Sequence, residues 1–155
     1  MEIPDDIRHF LERQHFVIVS SLGERGSIRT AAKDIVEIGT NGKILLLDLY
    51  KEGTYRNIKR SPHITLTAID ERKFKGYSLV GKARIVKEDV VSARLMKLWH
   101  QKLAKRIAKR LIRHVKEEVS EHETIPEAKF PFPKYLIEVS VDNIINLAPD
   151  RKDRK

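Results

Sequence analysis

This chain predicts a mainly β fold with added helices: a six- to seven-stranded antiparallel barrel carrying a short N-terminal helix, a short crossover helix and a long basic helix. Three observations support it. Short alternating runs rich in β-branched residues recur between turn signals, an Asn41-Gly42 pair marks a tight hairpin, and one helical-period stretch, residues 88–122, precedes a last alternating run. The order helix, three strands, helix, two strands, helix, strand, with short loops and antiparallel turns, argues against a doubly wound sheet.

Pro4 followed by Asp5 and Asp6, then Ile7, Phe10 and Leu11, predicts an amphipathic helix whose acids suit its N-terminal dipole, ending before His15. Phe16 to Ser20 reads as a first strand, Gly23-Glu24-Arg25-Gly26 as a turn, and Ser27 to Ile38 as a second strand. Asn41-Gly42 then turns the chain into a third strand, Lys43 to Leu49. Thr54 to Arg60 has too few apolar residues for a strand, and Pro62 stops a short helix there by disfavouring the α conformation at Ser61.

His63 to Asp70 and Tyr77 to Val86 alternate as a fourth and fifth strand around the charged turn Glu71-Arg72-Lys73. Gly81 inside the fifth calls for a bulge, a bend or a close ligand, since an interior glycine otherwise weakens a strand. Residues 88–122 carry Val91, Leu95, Leu98, Ile107, Leu111, Val115 and Val119 on or near one stripe, as one helix or as two with a break near His100 and Gln101. After the Phe130-Pro131-Phe132-Pro133 linker, Tyr135 to Val141 alternates again and Ile144 to Leu147 continues as strand or edge. We expect one domain over residues 1–148, the helical segment being an insertion before the last strand, and a disordered charged tail over 149–155.

With 155 residues, 41% apolar and 34% charged, the chain is long enough to bury roughly 68–70% of its unfolded surface around a real core. It contains no cysteine, which excludes disulfides, thiolate nucleophiles and thiolate metal sites. The acidic N-terminus lacks a signal-peptide pattern, and no apolar run approaches the roughly 20 residues of a membrane span. The expectation is a cytoplasmic protein without membrane association. Of the net charge of +9, eight cations between Lys97 and Lys116 occur with no intervening acid, so the basicity belongs to one segment.

The stretch from Lys43 to Thr67 is the most informative about chemistry. A phosphate needs N–H donors, hydroxyls and a cation close together, which a loop entering a helix supplies along with the positive end of the helix dipole. Lys51, Gly53, Thr54 and Tyr55 form such a set; Asn57 fixes the loop or meets ligand, and Arg56, Lys59 and Arg60 add to the positive field. The same spacing also suits Thr54 as a plain N-cap beside solvated cations.

A strand ending Leu47-Asp48-Leu49-Tyr50, then Gly53-Thr54-Tyr55-Arg56-Asn57-Ile58, then Ser61-Pro62 and another strand, with Gly81-Lys82-Ala83 following, resembles the flavin-nucleotide-binding split barrels, the pyridoxamine 5′-phosphate oxidase-like superfamily. The resemblance runs from about Arg8 to Val86 and resumes over Tyr135 to Leu147, where Ile137-Glu138-Val139-Ser140-Val141 is similar to the family's last strand. It implies a split β-barrel homodimer binding FMN at the subunit interface, with the phosphate held by the second strand and the loop and helix after the third. Carried onto this chain, it sets Arg29, Thr30, Ala31 and Lys33 along the second strand, Leu47 and Asp48 near the flavin ring, and Thr54, Tyr55 and Asn57 near the phosphate. A slip of one residue along the second strand would turn each side chain to the opposite face.

Many relatives carry a lysine immediately before the threonine, where this chain has Gly53; Lys51, Lys33 or Arg29 is left to supply that charge. The arginine and histidine pattern that recognises pyridoxamine phosphate has no match near the C-terminus, so vitamin oxidase activity is not expected. A bound FMN would bring the reactive atoms itself, leaving a flavin-dependent oxidoreductase of unidentified substrate as the implied activity. Tyr77, at the start of the fifth strand, is either a residue facing the partner's flavin or a packing residue.

Other signals carry less. The six histidines form no HExxH arrangement, and Glu117, Glu118, Glu121, His122 and Glu123 read as a solvated helix end, so no metal is expected. Ser20-Ser21 has no GxSxG context, and Gly23 and Gly26 make no Walker loop. The basic helix, residues 97–116, is the main competitor: it offers a solvated outer face, a nucleic-acid contact or a substrate-guiding rim, with Trp99 and Met96 as core or dimer contacts. Haem or a deazaflavin on the same fold is a further alternative.

Overall fold

The computed structural model describes residues 1–50, 52–86, 92–117, 126–133 and 135–149. Its elements are α1 (Asp5–Glu12), β1 (Val17–Leu22), β2 (Ile28–Ile38), β3 (Lys43–Asp48), α2 (Gly53–Arg60), β4 (His63–Asp70), β5 (Lys75–Val86), α3 (Ala93–Glu117) and β6 (Tyr135–Asn146), with single 3₁₀ turns at Glu24–Gly26, Glu71–Lys73 and Pro126–Lys129. The six strands close into one antiparallel barrel in the order β1-β2-β3-β6-β5-β4, with β1 pairing β4 to complete the ring. The mainly β fold with a short, a crossover and a long helix is therefore present.

Hydrophobic alternation sets the register. Val17, Val19, Ile44, Leu46, Leu66, Leu79, Ile137 and Val139 are all buried and fill the barrel. One mouth is plugged by α1, whose Phe10 packs edge-on against Tyr77 with ring centroids 5.2 Å apart. At the other end of β1, α2 is tied on through Asn57 Nδ2 donating to Ser21 Oγ at 3.0 Å and Arg60 donating to the Leu22 carbonyl at 2.6 Å. The Asn-Gly turn behaves as its chemistry requires: Gly42 has φ +75°, and a Cβ there would overlap the Met1 carbonyl.

The described residues hold six strands, because the last two alternating runs form one. In the β5–β6 pairing Gly81 opposes Val141 while Val80 opposes Asn143, leaving Asp142 as the extra residue of a bulge. The bulge shifts the alternation, so Val141 and Ile144 both face the core although they are three residues apart. Gly81 sits at this step, and a Cβ on it would overlap the Ser140 carbonyl oxygen, so its missing side chain serves the bend.

The long helix is continuous through His100 and Gln101, and Ser92 opens it: Oγ accepts from Leu95 N at 3.3 Å and its carbonyl from Met96 N at 3.0 Å. Its first turns cover the outer face of β2, β3 and β6, where Leu95 and Trp99 join Val36, Leu47 and Leu136 in a second core. The apolar stripe does not stay covered: Leu111, Ile112 and Val115 are exposed. The segments 88–91 and 118–122, and with them Val91 and Val119, lie outside the described residues, as does the acidic cluster beyond Glu117 and the tail from Asp150.

Candidate functional site

β2 has eleven residues and β3 only six, and this mismatch makes the site. Pairing between them begins at Asp34 opposite Leu47, so the Ile28–Lys33 half of β2 pairs with β1 alone and its other edge runs free. The chain leaves β3 at Asp48 and swings away to start α2. Between the free edge and the start of α2 lies a cleft of about 380 Å³, walled on its outer side by Trp99 and Arg106 of α3 and by Phe130. That volume is at the lower end of ligand and cofactor pockets, roughly 300–1,000 Å³.

The register answers which second-strand residues share a face. Arg29, Ala31 and Lys33 oppose Ser21, Val19 and Val17 and point inward, whereas Thr30 and Ala32 oppose Ser20 and Ile18 and point outward. Arg29, Ala31, Lys33, Leu47, Asp48 and Thr54 line the cleft together. Thr30 lies on the outer face. Lys51 lies outside the described residues.

A buried polar group anchors the inner end. Lys33 Nζ is 2.6 Å from Asp48 Oδ2, and the Tyr135 hydroxyl donates to the same oxygen. Less than a tenth of either charged side chain is exposed, so the two compensate each other where water cannot. Tyr55 stacks edge-on against Tyr135, centroids 4.8 Å apart, with Lys59 over its ring at 4.7 Å. Tyr55 thus supports the Asp48 group from behind.

At the phosphate end α2 starts at Gly53, with Glu52 as an N-cap that makes no side-chain cap bond. Thr54 is thus inside the first turn and buried, and the plain N-cap reading does not hold. Gly53 and Thr54 of this turn line the cleft together with Arg29, whose guanidinium lies over Gly53 where a side chain at that position would be. Asn57 is turned away, holding α2 to β1, and Tyr77 is in the barrel core against Phe10. These two are not brought to the cleft.

Phe16, Tyr50, Trp99, Arg106 and Phe130 line the cleft without having been singled out for it. Arg106 is fixed there by Asp34, 2.8 and 3.2 Å from its two carboxylate oxygens, and by the His15 carbonyl. A helix beginning forty residues after the motif gives no local sign of this; only the apolar Leu95 and Trp99 at i and i+4 hint that it lies against the barrel. Among the described residues no group of three His, Asp or Glu could hold a metal ion, and no helix is long and apolar enough to cross a membrane.

Comparison with known proteins agrees on the architecture. A family model described as pyridoxamine 5′-phosphate oxidase matches residues 3–130. HupZ of Group A Streptococcus superposes with a TM-score of 0.63 at 18% identity, covering 95% of each chain. A structure described as an F420 reductase gives 0.60 at 20% identity, over 92% of this chain and 98% of the other. HutZ, a haem storage protein from Vibrio cholerae, gives 0.51 at 13% identity, over 94% of both. At such identities the likeness is one of fold. No curated protein matches the sequence.

Proposed function

Because the chain belongs to the pyridoxamine 5′-phosphate oxidase family, we propose that it binds FMN in the cleft between β2 and α2 as a homodimer, and acts as a flavin-dependent oxidoreductase. The observation that carries this reading is the convergence of a free strand edge, the first turn of α2 and Arg29 on one end of a cleft with an apolar and aromatic far wall. An anionic phosphate suits the first three and a planar ring suits Leu47, Trp99 and Phe130. FMN supplies the electron transfer when bound; the chain binds, orients and excludes water. Backbone donors and Arg29 hold the phosphate, and the Lys33–Asp48–Tyr135 group fixes the cleft floor.

Among the described residues the cleft lining holds no histidine, methionine or cysteine, the side chains that most often hold haem iron axially, and Tyr50 is its one oxygen donor of the haem-ligand types; this favours a phosphate-anchored cofactor over haem. A deazaflavin shares the phosphate chemistry and remains the competing occupant.

The outer sheet offers a face for the second subunit. Two rows run across the barrel wall: Ala32, Ile18, Thr67, Ser78 and Ile145, then Thr30, Ser20, Thr65, Val80 and Asn143. None is charged in a chain that is 34% charged, and Ile18 and Ile145 are 38% and 45% exposed. Such a face fits a second copy. Ala32 belongs both to it and to the cleft lining, so a partner seated there would close the cleft.

Recording the visible spectrum of the purified protein, with FMN, F420 and haemin offered separately to any colourless preparation, tests the reading. A yellow dimer that releases FMN on denaturation supports it. Failure to take up FMN, or exclusive uptake of haemin or F420, overturns it. Thr67→Arg, in the middle of the uncharged face, should give monomers with weakened FMN uptake; a dimer with unchanged uptake removes the proposed interface.

A further inference from the structure

Beyond Arg106 the cleft continues into a second hollow of about 390 Å³ between the end of α1 and one face of α3. Five cations line it, Arg13, Lys102, Lys105, Arg106 and Lys109, against two carboxylates, Glu12 and Asp34. Lys102, Lys105, Arg106 and Lys109 follow helical spacing and share one face. Asp34 is already engaged by Arg106, whereas Lys105 and Lys109 make no ion pair among the described residues.

Lys102 is the telling residue. Its ammonium is partly buried in the hollow and donates to the Ile35 carbonyl, the one acceptor it has among the described residues, although an ammonium carries three donors. Burial pushes its pKa down, with Asp34 opposing. A partly buried cation with that single protein acceptor, in a basic hollow, is stabilised by an incoming anion.

We propose that this hollow is an oxyanion subsite that takes a phosphate-bearing small molecule, of the size and charge of a pyrophosphate group, next to the cofactor cleft. Arg106 and Asp34 line both hollows and link them. The subsite does not depend on which cofactor the cleft holds. It gives the positive face of α3 a concave, ligand-sized seat, which favours a small anion over a polynucleotide lying along the helix.

His15 borders the hollow and reports on it. Burial, then Arg106, Lys109 and Arg110, hold its imidazole below the ordinary histidine value, with Asp34 opposing. Inorganic pyrophosphate, titrated into the protein in phosphate-free buffer, should raise the His15 pKa by about one unit, followed by the NMR shift of its ring protons. His15→Gln identifies the signal. Lys105→Gln with Lys109→Gln should weaken pyrophosphate binding about tenfold or more in calorimetry, while FMN uptake stays unchanged because neither lysine lines the cofactor cleft. A His15 signal that ignores pyrophosphate, or a double variant that binds as tightly as the parent, overturns the proposal. So does a duplex oligonucleotide that binds through Lys105 and Lys109 and is not displaced by pyrophosphate.

Discussion

The guanidinium of Arg29, on β2, occupies the space above Gly53, at the start of α2, that a side chain at position 53 would need. Glycine at position 53 leaves that room, and a cation from the neighbouring strand fills it.

Arg29→Ala should lower FMN affinity about ten- to a hundredfold, the range of one charge-assisted hydrogen bond. Gly53→Lys added to it should recover much of that loss. Gly53→Ala alone should change stability by only about 0.5 kcal/mol, because the atom it meets ends a flexible side chain, yet it should weaken FMN by pushing Arg29 aside. Fluorescence titration of the four proteins checks this; an unrecovered double variant would show the two positions to be unrelated.

Trp99 is the only tryptophan and lines the cleft. Flavin binding should quench its emission in proportion to occupancy, and Trp99→Phe should abolish the signal while absorbance still records uptake. Quenching absent at full flavin occupancy would put the ring elsewhere.

Asp48→Asn leaves Lys33 buried without its counter-charge and should cost about 3–5 kcal/mol, as for other broken buried pairs. For a domain of this size that lowers Tm by roughly 2–4 °C per kcal/mol. The triple change Lys33→Met, Asp48→Leu and Tyr135→Phe removes every member and should regain most of the loss. Guanidinium melts of both variants give the comparison.

Glu138 on β6 bonds Arg84 on β5 at 2.8 Å and Lys43 on β3 at 3.3 Å, bridging three strands. The Arg84 hydrogen bond chiefly, with Lys43, holds its pKa below the usual carboxylate value against the effect of burial. A carboxyl depressed in the folded state stabilises above its unfolded pKa and loses that contribution as pH falls through the folded one. Glu138→Gln should therefore lower Tm at pH 7, and the gap to the parent should close as the pH falls into and below the carboxylate range.

Much of the fold was legible because alternation and turns are local. Asn41-Gly42, the Pro62 stop and the β1 to β5 runs need only neighbours in sequence to be read. What defeated reading was non-local: Asp142 looks like a strand end until Val80 and Gly81 show it to be a bulge, and the apolar stripe of α3 gives no sign that Leu111 and Val115 stay exposed. At the cleft, Thr54 could be picked from its place in a loop entering a helix, whereas Arg29, Lys33 and Asp48 came only from the family resemblance. Asn57 and Tyr77 carry the same chemistry in the sequence, and only tertiary packing turns the first toward Ser21 and the second toward Phe10. Arg106 and Phe130 enter the cleft from segments with no motif to mark them.

The strand order also bears on how the molecule is made. β6 lies between β3 and β5, although it follows both and is separated from β5 by the whole of α3. Until Tyr135 to Asn146 leaves the ribosome, β3 and β5 each wait with an open edge, and the barrel cannot close. The long, highly charged α3 is synthesised during that wait, so a nascent chain stalled within it carries two unpaired strands and a strongly positive segment that repels other copies of itself.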